Sequence, residues 1–161
     1  MAVSILFICL GNICRSPMAE ARMRSLVNEA GLTDQFEIDS AGTGTWHVGD
    51  RPHRGTQAVL ARNGISSDGM LARQIHAADL EHFDYLVVMD AGNEHEVTRL
   101  AERYGASGQI LRLLDFADDA VSNGQRDLPD PYYSGGFDHV YELVDSASRG
   151  LLVHIQNEHQ L

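Results

Sequence analysis

Apolar and polar residues alternate in blocks along this chain, and the blocks change period in a regular order. Val3 to Ile8 is a short apolar run of strand length. From Pro17 to Ala30, Ala19, Met23, Leu26, Val27 and Ala30 recur at helical spacing, and Gly31 supplies the stop. Phe36 to Ser40 reads as a second strand, and His53 to Asn63 as a helix closed by Asn63-Gly64. Tyr85 to Met89 is almost wholly apolar, the mark of a strand buried on both faces. Asp90 then offers a cap for a helix presenting Val97, Leu100, Ala101 and Tyr104, and Ile110 to Leu113 forms a fourth strand. A final helix from Phe137 to Gln156 places Val140, Leu143, Val144, Ala147, Leu151 and Ile155 on one face.

Strands alternating with helices predict an α/β fold of three layers. A four-stranded parallel sheet is flanked by helices on both faces through right-handed crossovers. Ligands in such folds sit beyond the carboxyl ends of the strands, so the loop after the first strand becomes the place to look for chemistry. Asp115 to Gln125 reads as a polar surface loop. With 161 residues and no repeats or low-complexity segments, residues 1–161 suit one domain with a proper core.

Charge narrows the partners. A formal net charge of −11 repels nucleic acid and anionic membrane surfaces, so neither is expected as a partner. No stretch is apolar enough to span a bilayer and no secretory signal stands at the start, which points to the cytoplasm. The 2 cysteines, Cys9 and Cys14, cannot build a disulfide framework, and no spaced histidines complete a metal site around them. No metal or cofactor is expected.

The loop after the first strand is Cys9-Leu10-Gly11-Asn12-Ile13-Cys14-Arg15-Ser16, with Pro17 at the predicted helix start. A strand running through a tight loop into a helix N-terminus gathers backbone N–H donors under a positive dipole end, a site for a phosphate. Helix N-termini and adjacent cations lower a thiol from about 8.5 to roughly 3.5–7.5, which turns a cysteine there into a nucleophile. Arg15 carries a planar fork for two phosphoryl oxygens. Ser16 can donate to the Cys9 sulfur, Gly11 permits close backbone approach, and Asn12 tolerates a left-handed φ. A buried structural cysteine and a surface arginine would also satisfy the spacing, so a second motif has to decide.

That motif is Leu128-Pro129-Asp130-Pro131-Tyr132-Tyr133. A carboxyl on a constrained loop can protonate a departing phenolate, and two tyrosines can wall an aromatic slot. The flanking prolines are expected to keep this segment out of helix and central strand.

The two motifs together resemble the low-molecular-weight protein tyrosine phosphatase family in its bacterial form. Ile38 to Trp46, Ala72-Arg73-Gln74 and Phe83 to Asp90 add landmarks in the family's order, so the resemblance spans nearly the whole chain. It implies hydrolysis of phosphotyrosine with Cys9 as nucleophile, Arg15 as phosphate clamp and Asp130 as general acid and then base. It implies that Asn12, Ser16 and Ser40 fix the loop, and that Trp46, Tyr132, Tyr133, Leu10 and Ile13 line the cleft for the ring. The expected partners are tyrosine-phosphorylated proteins, a bacterial tyrosine kinase among them, acted on by a monomer or weak dimer. Cys14 either points into the core or captures an oxidised Cys9 as a disulfide, the role the resemblance favours. One position departs from the family: Met70 stands where many relatives carry a histidine that joins the Asn/Ser network, and a thioether cannot donate a hydrogen bond. An arsenate reductase of the same fold is the alternative, disfavoured because no further cysteine exists to relay a disulfide.

Overall fold

The computed structural model describes residues 2–161. Its strands are β1 (Val3–Cys9), β2 (Phe36–Gly42), β3 (Tyr85–Val88) and β4 (Gln109–Arg112), all parallel in the order β2-β1-β3-β4. The helices are α1 (Arg15–Glu29), α2 (Arg54–Arg62), α3 (Ala77–His82), α4 (Ala91–Tyr104), α5 (Asp119–Ser122), α6 (Pro131–Ser134) and α7 (Phe137–His159).

The period of two along each central strand divides the core. Val3, Ile5, Phe7 and Cys9 of β1, with Tyr85 and Val87 of β3, share one cluster with buried side chains of α1, α2 and α7. Leu6 and Ile8, with Leu86 and Val88, turn to the other face against Leu80 of α3 and Val97 of α4. Every residue of β1 is buried, as a strand covered on both faces must be. The parallel sheet covered on both faces by helices is therefore the fold the alternation predicted.

Boundaries differ in instructive ways. Helix α1 begins at Arg15, two residues before Pro17. The backbone N–H of Met18 reaches the Cys14 carbonyl at 3.3 Å, so Pro17 falls within the first turn, where a missing N–H breaks no helical bond. Ala30 caps this helix and is exposed rather than buried. Strand β2 runs on to Gly42 because Ala41 and Gly42 pair with Ile8 and Cys9. Strand β3 stops at Val88, β4 is shifted one residue earlier, and Leu113 opens a 3₁₀ turn. Tyr104 is 49 % exposed, with the Arg103 guanidinium over its ring, and does not join the core. The segment 115–125 contains the short helix α5, capped by the Asp118 carboxylate.

The segment after Pro129 also forms a helix, contrary to the expectation from its prolines. Asp130 is the N-cap of α6, and Pro131 occupies the first helical position. There its fixed φ suits a helix and its missing N–H costs nothing.

Candidate active site

Pairing of β1 with β2 sets Cys9 beside Gly42 at the carboxyl edge of the sheet. A Cβ on Gly42 would lie 2.8 Å from the Leu10 carbonyl and 3.2 Å from the Asn12 nitrogen, so β2 can come this close to the loop only as glycine. Thr43 and Gly44 then donate their N–H groups to the Cys9 and Leu10 carbonyls, both at 2.9 Å. The loop is thus fixed from one side by backbone bonds before any side chain is counted.

Asn12 fixes it from within. Its φ of 58° is left-handed, as its residue type allows. Its Nδ2 donates to Ser16 Oγ at 2.8 Å and Ser40 Oγ at 2.9 Å, while its Oδ1 accepts the Arg73 N–H at 3.0 Å. The Arg73 contact fixes the amide orientation. Ser16 Oγ, an acceptor from Asn12, lies 2.9 Å from the Cys9 sulfur and can donate to it once the sulfur is a thiolate; Ser40 donates to Glu20 Oε1 at 2.6 Å. The Asn12 N–H also reaches the sulfur, at 3.3 Å. Burial pushes the Glu20 carboxyl up, opposed by the Ser40 bond and by Arg24. Glu20 was missed at the sequence level; its place one helical turn after Ser16, on the same face of α1, was the available signal.

Met70 is half-buried and lines a separate pocket behind the loop, together with Asn12, Glu20 and Ser40. The network closes without a histidine, because Ser40 is taken by Glu20 and the Asn12 oxygen by the Arg73 backbone. His76 is exposed and caps α3.

Arg15 is 3 % exposed and held most closely at Nη1. Its Nη1 donates to Asp90 Oδ2 at 2.7 Å and to the Leu128 carbonyl at 2.9 Å. Its Nη2 has only Asp130 Oδ2, at 3.5 Å, and its buried Nε has no partner among the described residues. Burial works against the guanidinium charge, but the Cys9 sulfur, Asp90 and Asp130 outweigh it and hold Arg15 above its ordinary value. Asp90 therefore does two jobs: its Oδ1 caps α4 through the Asn93 N–H at 2.8 Å, and its Oδ2 anchors the arginine. Only the cap was expected.

The cleft above the loop has a volume of about 320 Å³, in the range of small-ligand sites. Cys9, Leu10, Gly11, Ile13, Cys14 and Arg15 form its floor, and Trp46, His47, Asp130, Tyr132 and Tyr133 its walls. All the predicted cleft residues meet there. Asn12 and Ser16 within the loop and Ser40 on β2, grouped with the phosphate-binding set and expected to fix the loop, form the network just described and are not among the residues lining the cleft. His47 was missed: its ring meets Tyr132 edge-on at 5.8 Å and sits against Gly11, where a Cβ would lie 3.1 Å from its Cδ2. The Asp130 carboxylate, at 23 % exposure, accepts the Tyr132 N–H at 3.1 Å and hangs over the open edge of Arg15. Cys14 faces Ile13, Ala72 and Phe137, and its thiol is pushed up to about 12 by burial, then by Asp130 and Cys9.

Over residues 4–161 the chain matches the family described as low molecular weight phosphotyrosine protein phosphatase, and it belongs to that family. It is 49 % identical to the low molecular weight protein-tyrosine-phosphatase YfkJ of Bacillus subtilis over 99 % of both chains. It is 44 % identical to the Streptomyces coelicolor low molecular weight protein-tyrosine-phosphatase, over 98 % of this chain and 96 % of that one. The crystal structure of YfkJ superposes with a TM-score of 0.92, covering 98 % of this chain and 97 % of that one at 48 % identity. A protein tyrosine phosphatase from Entamoeba histolytica superposes at 0.88, covering 99 % of this chain and 100 % of that one at 33 % identity.

Proposed function

We propose that residues 1–161 act as one catalytic domain that hydrolyses phosphotyrosine in proteins in two steps. In the first, Cys9 Sγ attacks phosphorus, the bond from phosphorus to the phenolic oxygen breaks, and Asp130 gives its proton to that oxygen. In the second, water attacks the phosphocysteine, its proton passes to Asp130, and the S–P bond breaks to release phosphate. Ser16 donates to the sulfur as it departs. Leu10, Ile13, Trp46, Tyr132 and Tyr133 hold the aryl ring.

The observation that carries this reading is the half-anchored Arg15. Asp90 and Leu128 occupy Nη1, so the guanidinium leaves its Nε without a partner and its Nη2 with only Asp130 at 3.5 Å, in the cleft that Cys9 also lines. A buried donor without a partner is costly, and an arriving phosphoryl group with two oxygens satisfies both positions. Neither step requires a cofactor.

The proposed substrates are tyrosine-phosphorylated proteins, a bacterial tyrosine kinase among them, met by a monomer or weak dimer in the cytoplasm. No helix among the described residues is long and apolar enough to cross a membrane. Turnover of p-nitrophenyl phosphate tests the reading. The wild type should hydrolyse it and folded Cys9→Ser should not, with a loss on the order of 10⁴ or more, as for nucleophile deletion in other covalent hydrolases. Appreciable turnover by folded Cys9→Ser would remove Cys9 from the mechanism.

A further inference from the structure

All 12 basic side chains of the chain are arginines, and almost all are already engaged. Nine pair with carboxylates: Arg15, Arg22, Arg24, Arg62, Arg73, Arg99, Arg112, Arg126 and Arg149. Arg103 lies over the Tyr104 ring at 5.2 Å. Arg51 and Arg54 are left, both exposed, with no carboxylate within ion-pair distance among the described residues. In a protein of net charge −11, two unpaired cations three residues apart stand out.

Their position gives them meaning. Between them, His53 donates its backbone N–H to the Ile13 carbonyl of the phosphate loop at 2.8 Å, and its ring meets Tyr132 edge-on at 6.0 Å. His53 Nδ1 also accepts the Gly55 N–H at 2.9 Å, which fixes the start of α2 at Arg54. The segment is therefore pinned to both the floor and the wall of the cleft. Arg51 and Arg54 stand two residues and one residue from that pin, at most about 7 Å and 3.8 Å of backbone. The nearest acidic residue in sequence, Asp50, is turned to His47 Nδ1 at 3.2 Å and leaves both arginines free.

We propose that Arg51 and Arg54 form an anion-reading edge of the cleft, recognising an acidic group carried by the substrate within two or three residues of its phosphotyrosine. The inference rests on the phosphatase reading of the site. A phosphotyrosine ring inserted between Tyr132 and Trp46 leaves its peptide backbone at the rim. An extended chain advances about 3.3–3.6 Å per residue, so its near neighbours fall within reach of this segment. The group recognised is a carboxylate or a second phosphoryl group. The chain's overall negative field is screened beyond about 8 Å at physiological ionic strength, so these two local charges govern the final approach.

The test compares kcat/KM on three phosphotyrosine peptides: one flanked by Asp and Glu, the same peptide with Asn and Gln, and one carrying a phosphoserine beside the phosphotyrosine. The wild type should prefer the Asp/Glu peptide about three- to tenfold, mainly through KM, with the preference shrinking as salt rises. Arg51→Gln/Arg54→Gln should bring the ratio of acidic to neutral peptide close to one. A larger preference for the phosphoserine peptide, lost in the same variant, identifies phosphoryl as the favoured group and also supports the edge. The same acidic-to-neutral ratio in wild type and double variant overturns it. Wild-type turnover of p-nitrophenyl phosphate reports separately on the parent reading, since that substrate has no flanks; circular dichroism checks that the variant is folded.

Discussion

The phosphate loop and the acid-bearing segment face each other across one cleft and are built in opposite ways. From Cys9 to Ser16, buried groups are tied down several times over: backbone bonds from Thr43 and Gly44, a fully engaged Asn12 side chain and a serine directed at the sulfur. The segment bearing Asp130 is anchored at its start, where buried Leu128 gives its N–H to the Met89 carbonyl and its own carbonyl to Arg15. Beyond Leu128 it depends on two prolines and a single helical turn, with Tyr132 and Tyr133 exposed at 48 % and 76 %. Binding a doubly charged phosphoryl group needs donors that do not reorganise. Delivering a proton to substrates of different shape needs one carboxyl on a short, stiff tether.

The comparison makes the two sides separable. Asp130→Asn should leave the phosphate loop intact yet lower kcat on phosphotyrosine by about 10²–10⁴, the range of a positioned general acid. The loss should shrink on aryl phosphates whose phenols are very acidic, since these leave without a proton. Equal losses across a series of leaving groups would make Asp130 a structural residue only.

On the loop side, Asn12→Ala should act first on stability. It removes two buried hydrogen bonds and a part-buried one, and places a Cβ residue without local side-chain bonding at a φ of 58°. A loss of about 2–4 kcal/mol is expected, or roughly 4–16 °C in Tm for a domain of this size. Thermal unfolding checks it, and a variant as stable as the wild type would show that the network is not what holds the loop.

The smallest effect concerns Cys14. With its thiol pushed up to about 12, its thiolate fraction should rise about tenfold per pH unit through neutral and mildly alkaline pH. Capture of peroxide-oxidised Cys9 as a Cys9–Cys14 disulfide should therefore quicken with pH, and Cys14→Ser should make peroxide inactivation largely irreversible. Recovery with thiol reductant that is equal in the two proteins would assign Cys14 to packing alone.

What could be read from the sequence follows the same division. The strand–loop–helix order and the spacing of Cys9, Arg15 and Ser16 are local, so periodicity and motif context placed them. Asp90, Glu20 and His47 were missed in their site roles because each meets the loop through tertiary contact: Asp90 from the end of β3, Glu20 through Ser40, His47 through Gly11. Helix α6 was missed for a different reason. Proline was read as a helix breaker, whereas at the first helical position beneath an aspartate cap it starts one. Met70, the one departure from the family pattern, left the loop's rigidity open at the level of sequence; the network closes through Glu20 and Arg73.

Direct sight of the intermediate tests the account most closely. Asp130→Ala, mixed with p-nitrophenyl phosphate and quenched in alkali during turnover, should carry one phosphoryl group, and peptide mapping by mass spectrometry under non-acidic conditions should place it on Cys9. Turnover with no phosphoryl group on Cys9, or with one on another residue, would contradict the proposal that this loop binds phosphate in order to attack it.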